Sequence, residues 1–215
     1  MSDSTLAVTE RVVRTIADVA LENEFYFAEL DGVVGDGDFG LSLANGFRKL
    51  MDEWDTLDRS SPGTFLKKVS MIITSRVGGV SGAIWGTGFM RAGFAAGDKA
   101  ELTADDVIAM LRAAEEGMKK RGQSDVGDKT LLDGFIPAVD ELERVLKSGG
   151  STQEALDAAA VKAREQTEVI KPWIAKRGRA AYTGERSMDT YDAGSIAVAV
   201  MAETIAASWP EISNP

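Results

Sequence analysis

Along most of this chain apolar residues recur at the three- and four-residue spacing of helices, and almost nowhere in strict alternation. Within 102–122, Val107, Met110, Leu111 and Ala114 fall at i, i+3, i+4 and i+7, and Thr103 with Asp106 has the spacing of an N-terminal capping box. Ser151 with Glu154 forms a second such pair after the stop at Gly149 and Gly150, and Leu156, Ala159, Ala160 and Ala163 supply the apolar stripe behind it. The same reading predicts helices over 6–30, 41–54, 63–75, 84–97, 129–147 and 193–207, giving about eight in all. No stretch alternates β-branched and polar residues between turn signals, so βα units and a parallel sheet are not expected. The predicted class is all-α. Short links, with no Pro- or Ser-rich spacer and no internal repeat, predict one domain over 1–215.

Composition narrows the chemistry. The 215 residues, 44% of them hydrophobic, suffice for one sizeable core. A net charge of −10 argues against nucleic acid, whose phosphates call for an excess of Lys and Arg. No apolar run approaches the roughly 18 residues of a membrane-spanning helix, and the opening MSDSTLAVTERVV lacks the basic and apolar segments of a signal peptide, so a cytoplasmic protein with no membrane partner is expected. There is no cysteine and no histidine. Disulfides, thiolate nucleophiles, imidazole ligands and a Ser-His-Asp triad are thereby excluded. Carboxylates, hydroxyls, Lys, Arg, backbone N–H groups and a hard cation remain.

Three glycine-rich junctions between predicted helices carry the candidate chemistry. The first reads DGVVGDGDFG from Asp31 to Gly40. Its last six residues formally match G-x-G-x-x-G, but Asp36 and Asp38 would repel a bare pyrophosphate, which argues against a dinucleotide turn. Asp31, Asp36 and Asp38 make sense if a divalent cation lies between them and a phosphate, and an oxygen-only ligand set points to Mg²⁺. The spacing does not fit an EF-hand, since no Glu stands at the twelfth position from Asp31 or Asp36. A solvated acidic turn capping the next helix is the alternative. The second junction, 77–88, could present N–H groups and the Ser81 hydroxyl to a phosphate, or could simply let two helices approach closely. Between 122 and 130 the chain nearly spells a phosphate-binding P-loop, but Asp128 interrupts it and no buried strand precedes it; the segment reads as a capped helix start and pocket edge. The third junction, 178–194, places Arg179 and Arg186 among Glu185, Asp189 and Asp192, suiting either anionic oxygens or surface ion pairs.

Taken together, DGVVGDGDFGLSLANGF, VGGVSGAIWGTGFMRAG, GDKTLLDGFIPA and GRAAYTGERSMDTYDAG, in that order, resemble the L subunit of bacterial dihydroxyacetone kinase and the nucleotide-binding domain of the single-chain enzymes. The resemblance implies a closed barrel of eight antiparallel helices with the nucleotide, ATP or ADP, in the loops at one end. Asp31, Asp36 and Asp38 match the aspartates that hold two Mg²⁺ ions. Phe39, Gly40, Leu41 and Ser42 match the stretch lining the phosphates, and Gly79, Val80, Ser81 and Gly82 the glycine-rich turn against them. Gly122 and Leu131 align with positions near the adenine, Arg179 with an arginine reaching the nucleotide, and Asp192, Ala193 and Gly194 with a loop beside it. Phe39 and Ser42 depart from the family's usual His and Asn, which is consistent with a divergent subgroup acting on another ketose. The implied activity is phosphoryl transfer from Mg-bound ATP to a short ketose, dihydroxyacetone or a related triose or tetrose, held by a separate K-type subunit. Two alternatives stand beside it. One is a resident ADP rephosphorylated by a phosphotransferase-system protein, and the other a non-catalytic, nucleotide-loaded regulatory subunit.

Overall fold

The computed structural model describes residues 5–77 and 79–213, with the side chain of Val80 also outside the described set. Among the described residues there is no strand. In chain order the α-helices are α1 (Thr5–Glu22), α2 (Glu24–Gly32), α3 (Phe39–Asp52), α4 (Pro62–Arg76), α5 (Gly79–Ala96), α6 (Ala104–Gly122), α7 (Leu131–Lys147), α8 (Thr152–Ile170), α9 (Ala193–Ala207) and α10 (Trp209–Ser213). Two 3₁₀ segments, Trp54–Thr56 and Ala180–Ser187, complete the regular structure. Eight of these helices have 14 to 19 residues, while α2 and α10 have nine and five.

The expected helix over 6–30 is two helices, broken at Asn23, whose φ of −102° and ψ of 15° leave the helical region. Its side-chain amide donates to the Val19 carbonyl at 2.9 Å, a local bond that competes with helix continuation. The expected start at residue 129 moves to Leu131 because Lys129 has a φ of +60°. Trp54 lies past the end of α3, in the first 3₁₀ turn. α5 begins five residues earlier than the apolar pattern indicated, at Gly79 rather than 84. Both capping boxes are present, at Thr103 with Asp106 and at Ser151 with Glu154. The buried face of α6 is rotated from the expected one: Ile108, Met110, Ala114 and Met118 are buried, whereas Val107 is exposed. On α8, Ala159, Ala160 and Ala163 are buried as expected, joined by Ala155, while Leu156 is only partly so.

The long helices form a ring of neighbours. α1 packs on α3, α3 on α4, and so on through α9, which returns to α1. Two contacts show that neighbours run in opposite directions: Gly63 at the start of α4 lies against Gly93 and Gly97 at the end of α5, and Gln153 at the start of α8 donates to the Ala206 carbonyl at the end of α9. One apolar cluster, centred on Phe27, Phe47, Phe65 and Ile73, joins α1 through α4 to α9. A second, around Ala114, Leu132, Ala163 and Ala199, joins α6 through α9, and Trp85 of α5 packs against both. This alternation sends the links before α3, α5, α7 and α9 to one end of the ring. No helix among the described residues is long and apolar enough to cross a membrane.

Candidate nucleotide and metal site

The first junction is built by the close approach of α2 and α3. Gly40, one residue into α3, lies so tightly on α2 that a Cβ there would strike the Glu24 carbonyl and the Ala28 amide. The turn folds back on Asp31: the Gly35 N–H donates to the Asp31 carbonyl at 2.6 Å, and a side chain at position 35 would collide with the Asp31 carboxylate. Gly37 turns with a φ of +74°, a left-handed conformation that glycine adopts without steric cost. The outcome is that Asp31, Asp36 and Asp38 each present a carboxylate oxygen within 4.8 Å of the others, Asp31 half-buried and the other two exposed. They stand at the N-terminus of α3, where the Asp38 side chain caps no backbone amide. The Phe39 N–H faces Asp31 Oδ2 at 3.4 Å. The first-turn amides, having no partner within the helix, together with the positive end of the helix dipole, favour an anion there.

The third junction closes over this turn. Arg179, at the head of the 3₁₀ segment, forms an ion pair with Asp36 and places a second guanidinium nitrogen 3.5 Å from Asp38. A cation from the far end of the sequence thus already sits on two of the three carboxylates. The donor set fits a hard divalent cation: oxygen only, clustered, partly exposed, with room for phosphate oxygens and water.

Further around the same end, α7 and α9 start side by side. Gly194 has only hydrogen where a Cβ would stand 3.1 Å from the Leu131 Cβ and 3.2 Å from Asp192 Oδ1. Asp192 caps α9 by accepting from the Ser195 N–H at 2.6 Å, and Ala193 is buried beside it. Gly122 ends α6 against Ile84 and Ser124, next to an open cleft of about 500 Å³ lined by Lys119, Gln123, Ser124, Asp128 and Arg177. In the second junction Gly82 lies on the Val77 carbonyl and Gly86 on Thr74, so these glycines permit close packing of α5 on α4. Gly79, with a φ of +63°, faces open space, and Ser81 is half-buried. Val80 belongs to the matched turn, but its side chain lies outside the described residues.

Phe39 faces the opposite way from the cluster. Its ring is buried, 6.2 Å from that of Phe27, within the first apolar cluster. Position 39 therefore turns its backbone N–H, and no side chain, toward the Asp31 carboxylate. Leu41 is exposed and Ser42 half-buried on the next residues of α3.

The sequence reading missed Lys129 and Asp133. Asp133 is the third residue of α7 and completes a capping box with Thr130, whose N–H donates to it at 2.7 Å; the spacing of the two residues was a readable signal. Burial raises its carboxyl above the ordinary value, opposed by hydrogen bonds from the Gly127 and Thr130 amides. Nothing local marks Lys129 as buried.

Burial pushes the Asp192 carboxyl up to about 7; Asp133 adds to the rise, while the Ser195 hydrogen bonds and Lys129 oppose it. A carboxyl whose native pKa lies above its unfolded value binds more protons when folded, so its contribution to stability falls as pH rises from about 4 to 7. Asp192→Asn keeps an N-cap acceptor and removes the charge. The variant is expected to be more stable than the parent at pH 8 by about 1–2 kcal/mol, part of the gain being offset by the lost attraction to Lys129, and equal to it only below about pH 4. Thermal melts of both proteins across that range check the sign.

The model of the DAK2 domain matches residues 33–207. The ADP-binding subunit DhaL of the PEP-dependent dihydroxyacetone kinase of Escherichia coli (strain K12) is 33% identical over 194 residues, covering 90% of this chain and 92% of that one. The corresponding subunit of the PEP-dependent dihydroxyacetone kinase 2 of Listeria innocua serovar 6a is 36% identical over 172 residues, 79% of each chain. Among solved structures, the dihydroxyacetone kinase from C. freundii in complex with AMP-PNP and Mg²⁺ superposes with a TM-score of 0.72 at 24% identity, over 97% of this chain. That likeness is one of fold, and this chain spans only 35% of the larger one. Fold and sequence together define a helical kinase subunit. The chain belongs to the DAK2 domain family.

Proposed function

We propose that this chain is the nucleotide-binding subunit of a dihydroxyacetone-type kinase, working with ADP as a resident cofactor and with a separate ketose-binding subunit. The observation that carries the reading is the convergence of Asp31, Asp36, Asp38 and Arg179 at the N-terminus of α3. The full-length likeness to subunits named as ADP-binding members of PEP-dependent kinases favours a resident ADP and a phosphotransferase-system donor over exchange of ATP.

Asp31, Asp36 and Asp38 would hold one or two Mg²⁺ ions, which when bound supply the positive charge that phosphate oxygens require. The amides of Phe39, Gly40 and Leu41 receive those oxygens at the dipole's positive end. Arg179 is released from Asp36 and Asp38 once their charge is met elsewhere, and its planar donors turn to the phosphate. The exchange is inexpensive, since exposed ion pairs such as these contribute about 0–1 kcal/mol. On the base side, Leu131 and Gly122 with the Asp192 to Gly194 turn form the wall. Phosphoryl transfer needs positioning and charge neutralisation more than covalent help, which suits a chain with no histidine or cysteine. The ketose is held by the separate K-type subunit in this reading, so this chain alone is expected to phosphorylate no ketose.

Native mass spectrometry of the purified protein, without added nucleotide, tests the reading. A stoichiometric mass of ADP with Mg²⁺ that survives dialysis is the expected result. An empty protein that takes up ATP reversibly would overturn the resident-cofactor form.

A further inference from the structure

Lysine is almost never fully buried without a partner, yet Lys129 is only 3% exposed. Its ammonium donates to three backbone carbonyls: Lys171 at 2.8 Å, Trp173 at 2.9 Å and Ser187 at 2.5 Å. Burial lowers its pKa, while the charges of Asp192 and Asp189 oppose the shift. The residue also holds a φ of +60°, where a side-chain-bearing residue is strained by about 1–2 kcal/mol. The surroundings fix that conformation. Asp133 accepts from the Gly127 N–H at 2.6 Å and the Thr130 N–H at 2.7 Å, on either side of Lys129.

The three carbonyls belong to one segment, 171–187, which carries Arg179. Other ties join the same two stretches. The Lys176 N–H donates to the Asp128 carbonyl at 3.0 Å, and Arg177 pairs with Asp128 at 3.1 Å. Within the segment, Ser187 accepts from the Ala175 N–H at 2.9 Å and donates to the Gly184 carbonyl at 2.6 Å. Lys129 reaches both ends of the segment from a buried position. Its own backbone lies two residues before Leu131 on the base-side wall.

We infer that Lys129 is a positioning residue: by binding both ends of the 171–187 segment to the start of α7, it holds Arg179 over Asp36 and Asp38. The inference rests on the nucleotide reading above for its consequence, though not for its geometry. Its charge also faces Asp192 of the base-side wall, but on the phosphate side it acts through Arg179.

A double-mutant cycle with Lys129→Met and Arg179→Ala, read by Mg-ADP titration, tests it. In the parent background Arg179→Ala is expected to weaken binding by about tenfold, and in the Lys129→Met background by less than about twofold, because the guanidinium is already displaced. An undiminished effect of Arg179→Ala in that background overturns the inference. If Lys129→Met does not fold, Lys129→Gln, which keeps two donors, carries the same cycle. Hydrogen exchange supplies a readout that needs no nucleotide. The Ala175 and Lys176 amides should exchange at least about tenfold faster in the variant while those of α8 do not change. If the parent binds no nucleotide, the functional reading falls and exchange alone decides: faster exchange confined to the segment supports the role of Lys129, and unchanged exchange refutes it.

Discussion

Asp36→Ala will abolish Mg²⁺-dependent nucleotide binding while leaving the empty protein as stable as its parent. The side chain is exposed and contributes no packing, and the ion pair it makes with Arg179 is open to water on both sides, so its loss costs about 0–1 kcal/mol. Relief of repulsion from Asp31 and Asp38 returns part of that. The melting temperature without metal should therefore move by no more than about 2 °C. Binding is another matter. Changes one shell away from a metal already cost 10- to 100-fold in affinity, so removing a proposed ligand is expected to cost at least about 100-fold. Calorimetric titration of ADP with and without Mg²⁺ measures both. If Asp36→Ala binds ADP as tightly as the parent, the cluster is an acidic turn and no cation site.

Gly40→Ala is the opposite experiment, large in stability and indirect in function. The added methyl has nowhere to go, because what it meets is the backbone of α2 at Glu24 and Ala28 and no flexible side chain. Either α2 moves off α3 or the first turn of α3 unwinds, and each carries the Asp31 to Asp38 turn with it. Overpacking at a backbone contact costs about 3 kcal/mol or more, near 6–12 °C for a chain of this size. Gly79→Ala is the control: Gly79 has a left-handed φ of +63°, which the helical Gly40 does not, but its Cβ would meet open space, so only about 1–2 kcal/mol of backbone strain is expected. Similar melting temperatures for the two would show that helix contact at Gly40 does not set the site.

The helical class and both capping boxes were legible because they are local: Thr103 with Asp106 and Ser151 with Glu154 specify their helix starts within one turn. The Asp31, Asp36 and Asp38 cluster was legible from spacing and chemistry, whereas the resemblance implied only that Arg179 reaches the nucleotide, and its pairing with Asp36 and Asp38 was not readable. What could not be read depends on contacts between distant segments. Val107 fits the apolar period of α6 but is exposed, because the orientation of that helix is set by its neighbours in the ring. The direction of Phe39 depends on Phe27 of another helix. Lys129 looked like one more charge in a polar link, and only the arrival of the 171–187 segment turns it inward.

The closed ring also sets an order of events during biosynthesis. The three aspartates lie on the early part of the chain, whereas Arg179, Asp192 and the helix that seals α8 to α1 come last. A nascent chain thus carries an uncompensated acidic turn through most of its translation, with no opposing guanidinium and no base-side wall. Contacts of such long sequence separation form late and slowly. A nucleotide that binds only the sealed ring would draw the final docking step forward by mass action. In a cell, the supply of ligand would then govern how much of the newly made subunit matures as well as how much of it works.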